Sequence, residues 1–153
     1  MFAMLDDVAK DDTRTLGVLW KRLSTMLEVH AQGEEELFYP ELLKLGERLH
    51  TDEEVEETED AIGDHNDIRD GILASQAAEV GSEAWWKGVN DAREANDEHM
   101  GEEEHEGLKE FREHVDLETR HRIGVAFAAY EAEHVDGVPI VDKDPEEYVQ
   151  QNG

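Results

Sequence analysis

The sequence predicts an all-α protein, an up-down antiparallel four-helix bundle with a shortened first helix and an extra C-terminal helix. Apolar residues recur at steps of three and four along four sustained segments, and only short breaks separate these segments. No segment shows the convincing alternation that is typical of a strand. We expect residues 1–135 to form the bundle and residues 136–153 to be a polar extension, lying along the surface or disordered.

The helices can be placed in order along the chain. A short first helix is expected at residues 1–8, because Phe2 and Leu5 share one side of it. A long second helix then runs to Phe38, where Pro40 removes a backbone donor and kinks or restarts the helix. Gly81-Ser82 ends one later helix and caps the next. The predicted long helices cover residues 13–38, 51–78, 82–114 and 117–134.

Composition limits the functions open to this chain. Its 153 residues include 41 acidic and 14 basic side chains, giving a formal charge of −27. Such a field repels nucleic acid and anionic membrane surfaces and attracts cations, so we expect no nucleic-acid and no membrane partner. The chain has no cysteine, which leaves His, Asp and Glu as the strong metal ligands. Without a long apolar run or a signal peptide, the chain is predicted to be cytoplasmic.

Two His-x-x-x-Glu pairs fall within apolar stripes of the predicted helices. His30 and Glu34 continue the stripe that starts at Leu16, and His99 and Glu103 repeat the pattern on the fourth long segment. His65 lies at the centre of the apolar arc of the helix between them. Burying a carboxylate without a partner costs roughly several kcal/mol of folding free energy. These polar groups therefore need a shared partner. A metal ion is the simplest such partner.

The spacing alone is weak evidence. About two of the eight histidines should have an acid four residues on by chance, and four do. The pairs His50/Glu54 and His114/Glu118 straddle predicted helix breaks, so neither shares a continuous helical face. Only the pairs at 30/34 and 99/103 combine a continuous helix with an apolar stripe.

These residues resemble the hemerythrin-like HHE cation-binding domains. His30 and Glu34, in His-Ala-Gln-Gly-Glu-Glu-Glu-Leu-Phe-Tyr-Pro, match the second-helix motif of that family, including the aromatic residue and the proline that follow. His65, in Gly-Asp-His-Asn-Asp-Ile-Arg, matches the third helix. His99 and Glu103, in His-Met-Gly-Glu-Glu-Glu, match the fourth. The resemblance covers residues 1 to about 115.

The resemblance implies a non-haem iron centre in the bundle core, with one or two iron ions. Manganese and zinc also suit the nitrogen and oxygen ligands. His30, His65 and His99 would hold the metal, and Glu34 and Glu103 would bridge the ions. The implied partner is a small molecule such as dioxygen, peroxide or nitric oxide, and iron handling is the other family role. Whether the chain is an enzyme is left open.

One departure from the family bears on the metal content. No histidine precedes His30, so the first-helix ligand has no counterpart. We interpret this as a chain that starts after that position, or as a member with a depleted site. One ion is then expected to bind firmly and a second weakly or not at all.

Two alternatives stay open from the sequence. A ferritin-like di-iron oxidase or iron store takes Glu-x-x-His ligands, a spacing that also occurs four times here. The second alternative is a metal-free acidic helical bundle that acts as an interaction module. If a metal is bound, Asp64, Asn66 and Asn96 are candidates for orienting the ring nitrogens that do not touch it.

Overall fold

The computed structural model describes residues 1–105 and 107–153, and all regular structure within them is helical. This confirms the predicted all-α class, whereas the up-down four-helix arrangement stays a prediction. None of the described helices is long and apolar enough to cross a membrane. The helices are α1 (Phe2–Asp6), α2 (Thr13–Leu37), α3 (Tyr39–Leu49), α4 (Glu53–Gln76), α5 (Glu83–His105), α6 (Gly107–His114), α7 (Leu117–Glu133) and α8 (Pro145–Asn152).

Local sequence sets several of these bounds. The side chain of Asp12 accepts a hydrogen bond from the first turn of α2, and Asp116 does the same for α7. The predicted restart at Pro40 is confirmed, because α2 ends at Leu37 and α3 begins with Pro40 in its first turn. The helix predicted over residues 82–114 is described as α5 and α6, on either side of Glu106, which lies outside the described residues.

Helices α4 and α5 pack unusually closely, and small residues permit it. A Cβ atom built at Gly71 would lie 2.5 Å from the backbone nitrogen of Ala92, and one at Gly88 would lie 2.5 Å from that of Ser75. Position 75 thus meets position 88 and position 71 meets position 92, so the two helices are antiparallel. Continuing this register brings the middle of α4 to the C-terminal part of α5.

A layer of buried polar side chains separates two apolar clusters. One cluster contains Trp20, Trp85 and Ile68, and the other contains Phe38, Phe111 and Ile62. Ile62 and Ile68 lie on the same helix, and the buried side chain between them on α4, His65, lies at the boundary. The buried polar layer comprises Glu28, Glu34, Glu35, His65, Arg69 and His99.

The C-terminal extension is ordered, so the disordered alternative for residues 136–153 is wrong. Its last residues form α8, which Asp144 caps and Pro145 begins. Tyr148 is buried, and its hydroxyl donates a hydrogen bond to the backbone carbonyl of Glu35. The backbone of Lys143 is held by two hydrogen bonds to the side chain of Asn66, at 2.7 and 3.0 Å. Tyr148 and the backbone of Lys143 thus tie this polar segment to the helices that carry the site.

Candidate metal centre

Three of the predicted ligands meet in the buried polar layer. Glu34 from α2, His65 from α4 and His99 from α5 each offer one ligand atom, and these atoms lie within 4.8 Å of one another. The Nε2 atoms of the two histidines are 3.3 Å apart. The Oε2 atom of Glu34 lies 3.2 Å from Nε2 of His65 and 3.7 Å from Nε2 of His99. The close packing of α4 on α5 is what brings the two rings together.

His30 joins the group through the other oxygen of Glu34. Its Nε2 atom lies 3.0 Å from Oε1 of Glu34, one turn along α2. However, its side chain is 53% exposed, so the prediction that His30 is a core residue is wrong. An apolar stripe with an average spacing of 3.5 residues rotates by about 20° per heptad around a straight helix. His30 is two heptads beyond Leu16, so it is rotated by about 40° from the direction of Leu16. His30 therefore lies between the core face of α2 and the face that Phe127 and Tyr130 of α7 cover at Gly33.

All three histidines turn the same nitrogen inward. Nε2 of each ring faces Glu34, and Nδ1 of each ring faces a second carboxylate on the outside. The outer contacts are Nδ1 of His65 to Oε1 of Glu35 at 2.9 Å, Nδ1 of His30 to Oε1 of Glu131 at 3.2 Å, and Nδ1 of His99 to Oδ2 of Asp64 at 3.6 Å. The first two are hydrogen bonds, and the third is a longer charge contact. A histidine that binds a metal through one nitrogen commonly has its other nitrogen fixed in this way.

Of the three predicted orienting residues, only Asp64 faces a ring nitrogen. Asn66 instead bonds to the backbone of Lys143, and the amide of Asn96 lies 3.6 Å from the sulfur of Met100. Sequence reasoning missed Glu35 and Glu131. Glu35 is one residue beyond the apolar stripe, and Glu131 lies about a hundred residues away on α7, so neither stood out as a partner.

Glu103, the second of the two predicted carboxylate ligands, lies beside the cluster with a buried Oε1 atom that has no hydrogen-bond partner among the described residues. Burial raises the pKa of Glu103, and the charge of Glu34 raises it further, to about 7. Burial also opposes the charged form of Glu34, but hydrogen bonds from His30, His65 and His99 hold its pKa well below the ordinary range. Glu34 thus has three histidines around it, whereas Oε1 of Glu103 has no hydrogen-bond partner among the described residues.

His30 and His99 hold protons tightly when no metal is present, because the pKa of each is raised. Glu34, as the nearest hydrogen-bond acceptor, raises the pKa of His30 to about 9. Burial alone would lower the pKa of His99, but contacts with Asp64 and Glu34 outweigh it and raise the pKa to about 10. A metal ion that enters this group must therefore displace protons.

A buried charge network stands behind the cluster. The guanidinium of Arg69 donates from Nε to Glu28 at 2.9 Å and from Nη2 to Glu35 at 2.9 Å, and all three side chains are almost completely buried. Lys143 reaches the other oxygen of Glu35 at 2.6 Å. The sequence does indicate this charge network. Glu28 and Glu35 are a heptad apart and so share one face of α2, and Arg69 follows Ile68 in the apolar arc of α4.

The spacing of the donor atoms suits a first-row metal ion. In a tetrahedral site with bonds of about 2.0–2.1 Å, ligand atoms are about 3.3–3.4 Å apart. The separations among Glu34, His65 and His99 are 3.2, 3.3 and 3.7 Å. Neutral imidazoles with a carboxylate are ligands that iron, manganese and zinc accept. The residues present therefore fit a metal ion.

Among the described residues, the second acidic group and two histidines of the Glu-x-x-His pairs lack these features. Glu110, Glu113 and His114 also bring their ligand atoms together, but Glu113 and His114 are exposed. In the predicted Glu-x-x-His pairs, His105 and His134 turn Nδ1 to a backbone carbonyl one turn back, at 2.6 and 2.8 Å. Neither therefore contributes that nitrogen to the buried cluster.

Comparisons of this chain with protein-family models, with curated proteins and with solved structures found no match. The likeness to the hemerythrin-like domains therefore rests on the motif residues alone.

Proposed function

We propose that this chain is a hemerythrin-like non-haem iron protein, with its site in the buried polar layer of a four-helix bundle. The observation that carries the proposal is the common orientation of His30, His65 and His99, with Nε2 toward Glu34 and Nδ1 toward an outer carboxylate. A shared metal ion would account for three histidines that present the same nitrogen to one carboxylate. Iron is the proposed metal, and manganese or zinc would use the same donors.

Glu34 divides the proposed centre into two unequal halves. Its Oε2 atom faces the buried pair His65 and His99, and its Oε1 atom faces the half-exposed His30. The Oε1 atom of Glu103, which has no hydrogen-bond partner within residues 1–105 and 107–153, is available as a further donor. We propose one firmly held ion on the side of His65 and His99 and a weaker one on the side of His30.

The proposed role is to bind dioxygen or a related small ligand such as peroxide or nitric oxide, or to handle iron. A bound iron ion would supply the affinity for such a ligand. The chain itself supplies the surroundings: Ile62, Ile68 and Ile72 are buried on the side of the cluster where the rings of His65 and His99 are buried, and would limit the access of water to them. Glu35 accepts a hydrogen bond from Nδ1–H of His65, so that Nε2 would be the nitrogen that binds a metal ion.

Metal analysis tests the proposal directly. The chain is stripped with a chelator, loaded with ferrous iron without oxygen, desalted and measured for iron per chain, with an absorption spectrum taken before and after exposure to air. We expect about one firmly bound ion, and we expect His99→Ala to remove it. His114→Ala is the matched control, because His114 belongs to the exposed acidic group. Unloaded wild-type protein, or equal loss from both variants, would refute the proposal.

A metal-free acidic module is the second candidate, and one observation favours it. With pKa values of about 9 and 10, protonated His30 and His99 can satisfy Glu34 without any metal. For such a module, chelation would leave the thermal unfolding midpoint unchanged. For an iron protein, metal loading raises that midpoint, because an ion that binds only the folded state stabilises it.

A further inference from the structure

A cavity of about 430 Å³ opens beside the half-exposed edge of the cluster. Helices α2, α5, α6 and α7 surround it, and His30, Glu34 and Glu103 form part of its wall. Volumes of this order hold small organic ligands. The apolar part of the wall consists of Phe38, Met100, Leu108, Phe111, Ile123 and Phe127.

Helix α7 runs along the length of this cavity. Arg120, Gly124 and Phe127 all line it and follow one another at helical spacing, so they share one face. At 1.5 Å per residue, Arg120 and Phe127 are separated by about 10 Å along the helix axis. The ring of Phe127 lies 5.1 Å from the ring of His30. The cavity therefore has a guanidinium at one end, an apolar middle, and the candidate metal centre at the other end.

The guanidinium end has unused hydrogen-bonding capacity. The Nε atom of Arg120 is buried and has no hydrogen-bond partner within the part of the chain that the structure describes. A second arginine, Arg112, also lines the cavity. Three glutamates, Glu34, Glu103 and Glu104, also line the cavity, so a ligand carboxylate has to lie at the end that Arg120 marks. A buried polar atom without a partner is costly unless a ligand satisfies it.

We propose that this cavity binds an aliphatic monocarboxylic acid. The carboxylate accepts hydrogen bonds from Arg120 and Arg112, a geometry that guanidinium groups favour. The hydrocarbon chain lies against Phe111, Ile123 and Phe127 and extends toward His30. This binding site does not depend on a bound metal.

Octanoate serves as the probe, and the full chain is kept in chelator because carboxylates also ligate metal ions. Octan-1-ol has the same hydrocarbon chain without the charge. Titration calorimetry should show saturable binding of octanoate and binding of octan-1-ol that is about tenfold weaker. Arg120→Met should weaken octanoate binding about tenfold and leave octan-1-ol unchanged. The matched control is Arg122→Met, since Arg122 is on the same helix, is exposed and lies outside the cavity wall.

A second pair of variants tests the location without removing a charge. Gly124 lines the cavity, and a Cβ atom at this position would have nothing within 4 Å, so Gly124→Leu should fold and fill the cavity. Gly101→Leu is the control, because Gly101 has the same open surroundings but does not line the cavity. We expect Gly124→Leu to abolish octanoate binding and Gly101→Leu to preserve it.

The proposal is overturned if octanoate does not bind saturably, if Arg122→Met weakens it as much as Arg120→Met, or if Gly124→Leu binds normally. Equal weakening of octanoate and octan-1-ol by Arg120→Met would also overturn it, since packing and not charge would then explain the loss. Because the titrations are metal-free, octanoate binding by a chain that fails to load iron would refute only the metal proposal.

Discussion

Substituting Gly71 by alanine tests the helix contact on which the site depends. The new Cβ would lie 2.5 Å from the backbone nitrogen of Ala92, about 0.9 Å short of the ordinary contact distance of 3.4 Å. Because the obstacle is backbone, no side-chain rotation relieves it, and α4 and α5 must move apart. Overpacking of this kind costs about 1–3 kcal/mol, and we expect a loss of unfolding free energy near the upper end, about 3 kcal/mol.

Gly63→Ala is the matched control on the same helix. Nothing lies within 4 Å of a Cβ at Gly63, so the substitution should stabilise the chain by up to about 1 kcal/mol through helix propensity. Urea unfolding followed by circular dichroism measures both variants. Since α4 carries His65 and α5 carries His99, Gly71→Ala should also weaken metal binding. If Gly71→Ala proves as stable as Gly63→Ala, the close contact between α4 and α5 is not as described.

Three further changes test other parts of the structure. Arg69→Met leaves two buried carboxylates, Glu28 and Glu35, without their shared cation, and should lower the unfolding free energy by about 3–5 kcal/mol in urea unfolding. Lys143→Met removes the amine 2.6 Å from Glu35 and should cost about 1–3 kcal/mol by the same assay, whereas the exposed Lys109→Met should cost almost nothing. Hydrogen bonds from Thr119 hold the pKa of Asp116 below its ordinary value of 3.8. The resulting stabilisation is present above that value and is lost as pH falls through the lowered pKa, so Asp116→Asn should unfold with a smaller acid dependence.

Much of the fold could be predicted from the sequence because its signals are local. The restart at Pro40 follows from the missing backbone donor, and the helical class follows from apolar periodicity. The cap at Asp144 and the proline at 145 are local signals for the start of α8, but they do not show where α8 packs. Its packing depends on distant partners, because Tyr148 reaches the backbone of Glu35 and Asn66 bonds to the backbone of Lys143.

The site could be predicted by residue type but not by geometry. Spacing on the helices indicated Glu34, His65 and His99, and the structure brings these three together. Spacing could not show that His30 lies at the exposed edge of its helix. That position depends on how far the apolar stripe has rotated around α2 and on where α7 packs. The orientation of each ring nitrogen depends on outer carboxylates from other helices, so spacing along one helix cannot reveal it.

The outer carboxylates also explain why the two halves of the proposed centre should differ in affinity. Glu35, behind His65, is fully buried and held by Arg69 and Lys143, so the ring it orients has little freedom. Glu131, behind His30, is 47% exposed, and water competes for its hydrogen bond. A ligand that is already held in its binding orientation loses less entropy when a metal arrives. Glu35→Gln should therefore weaken the firm site markedly, whereas Glu131→Gln should affect only the weaker one, and iron titration of the two variants measures this difference. Equal effects of the two substitutions would show that burial of the outer carboxylate does not set the affinity.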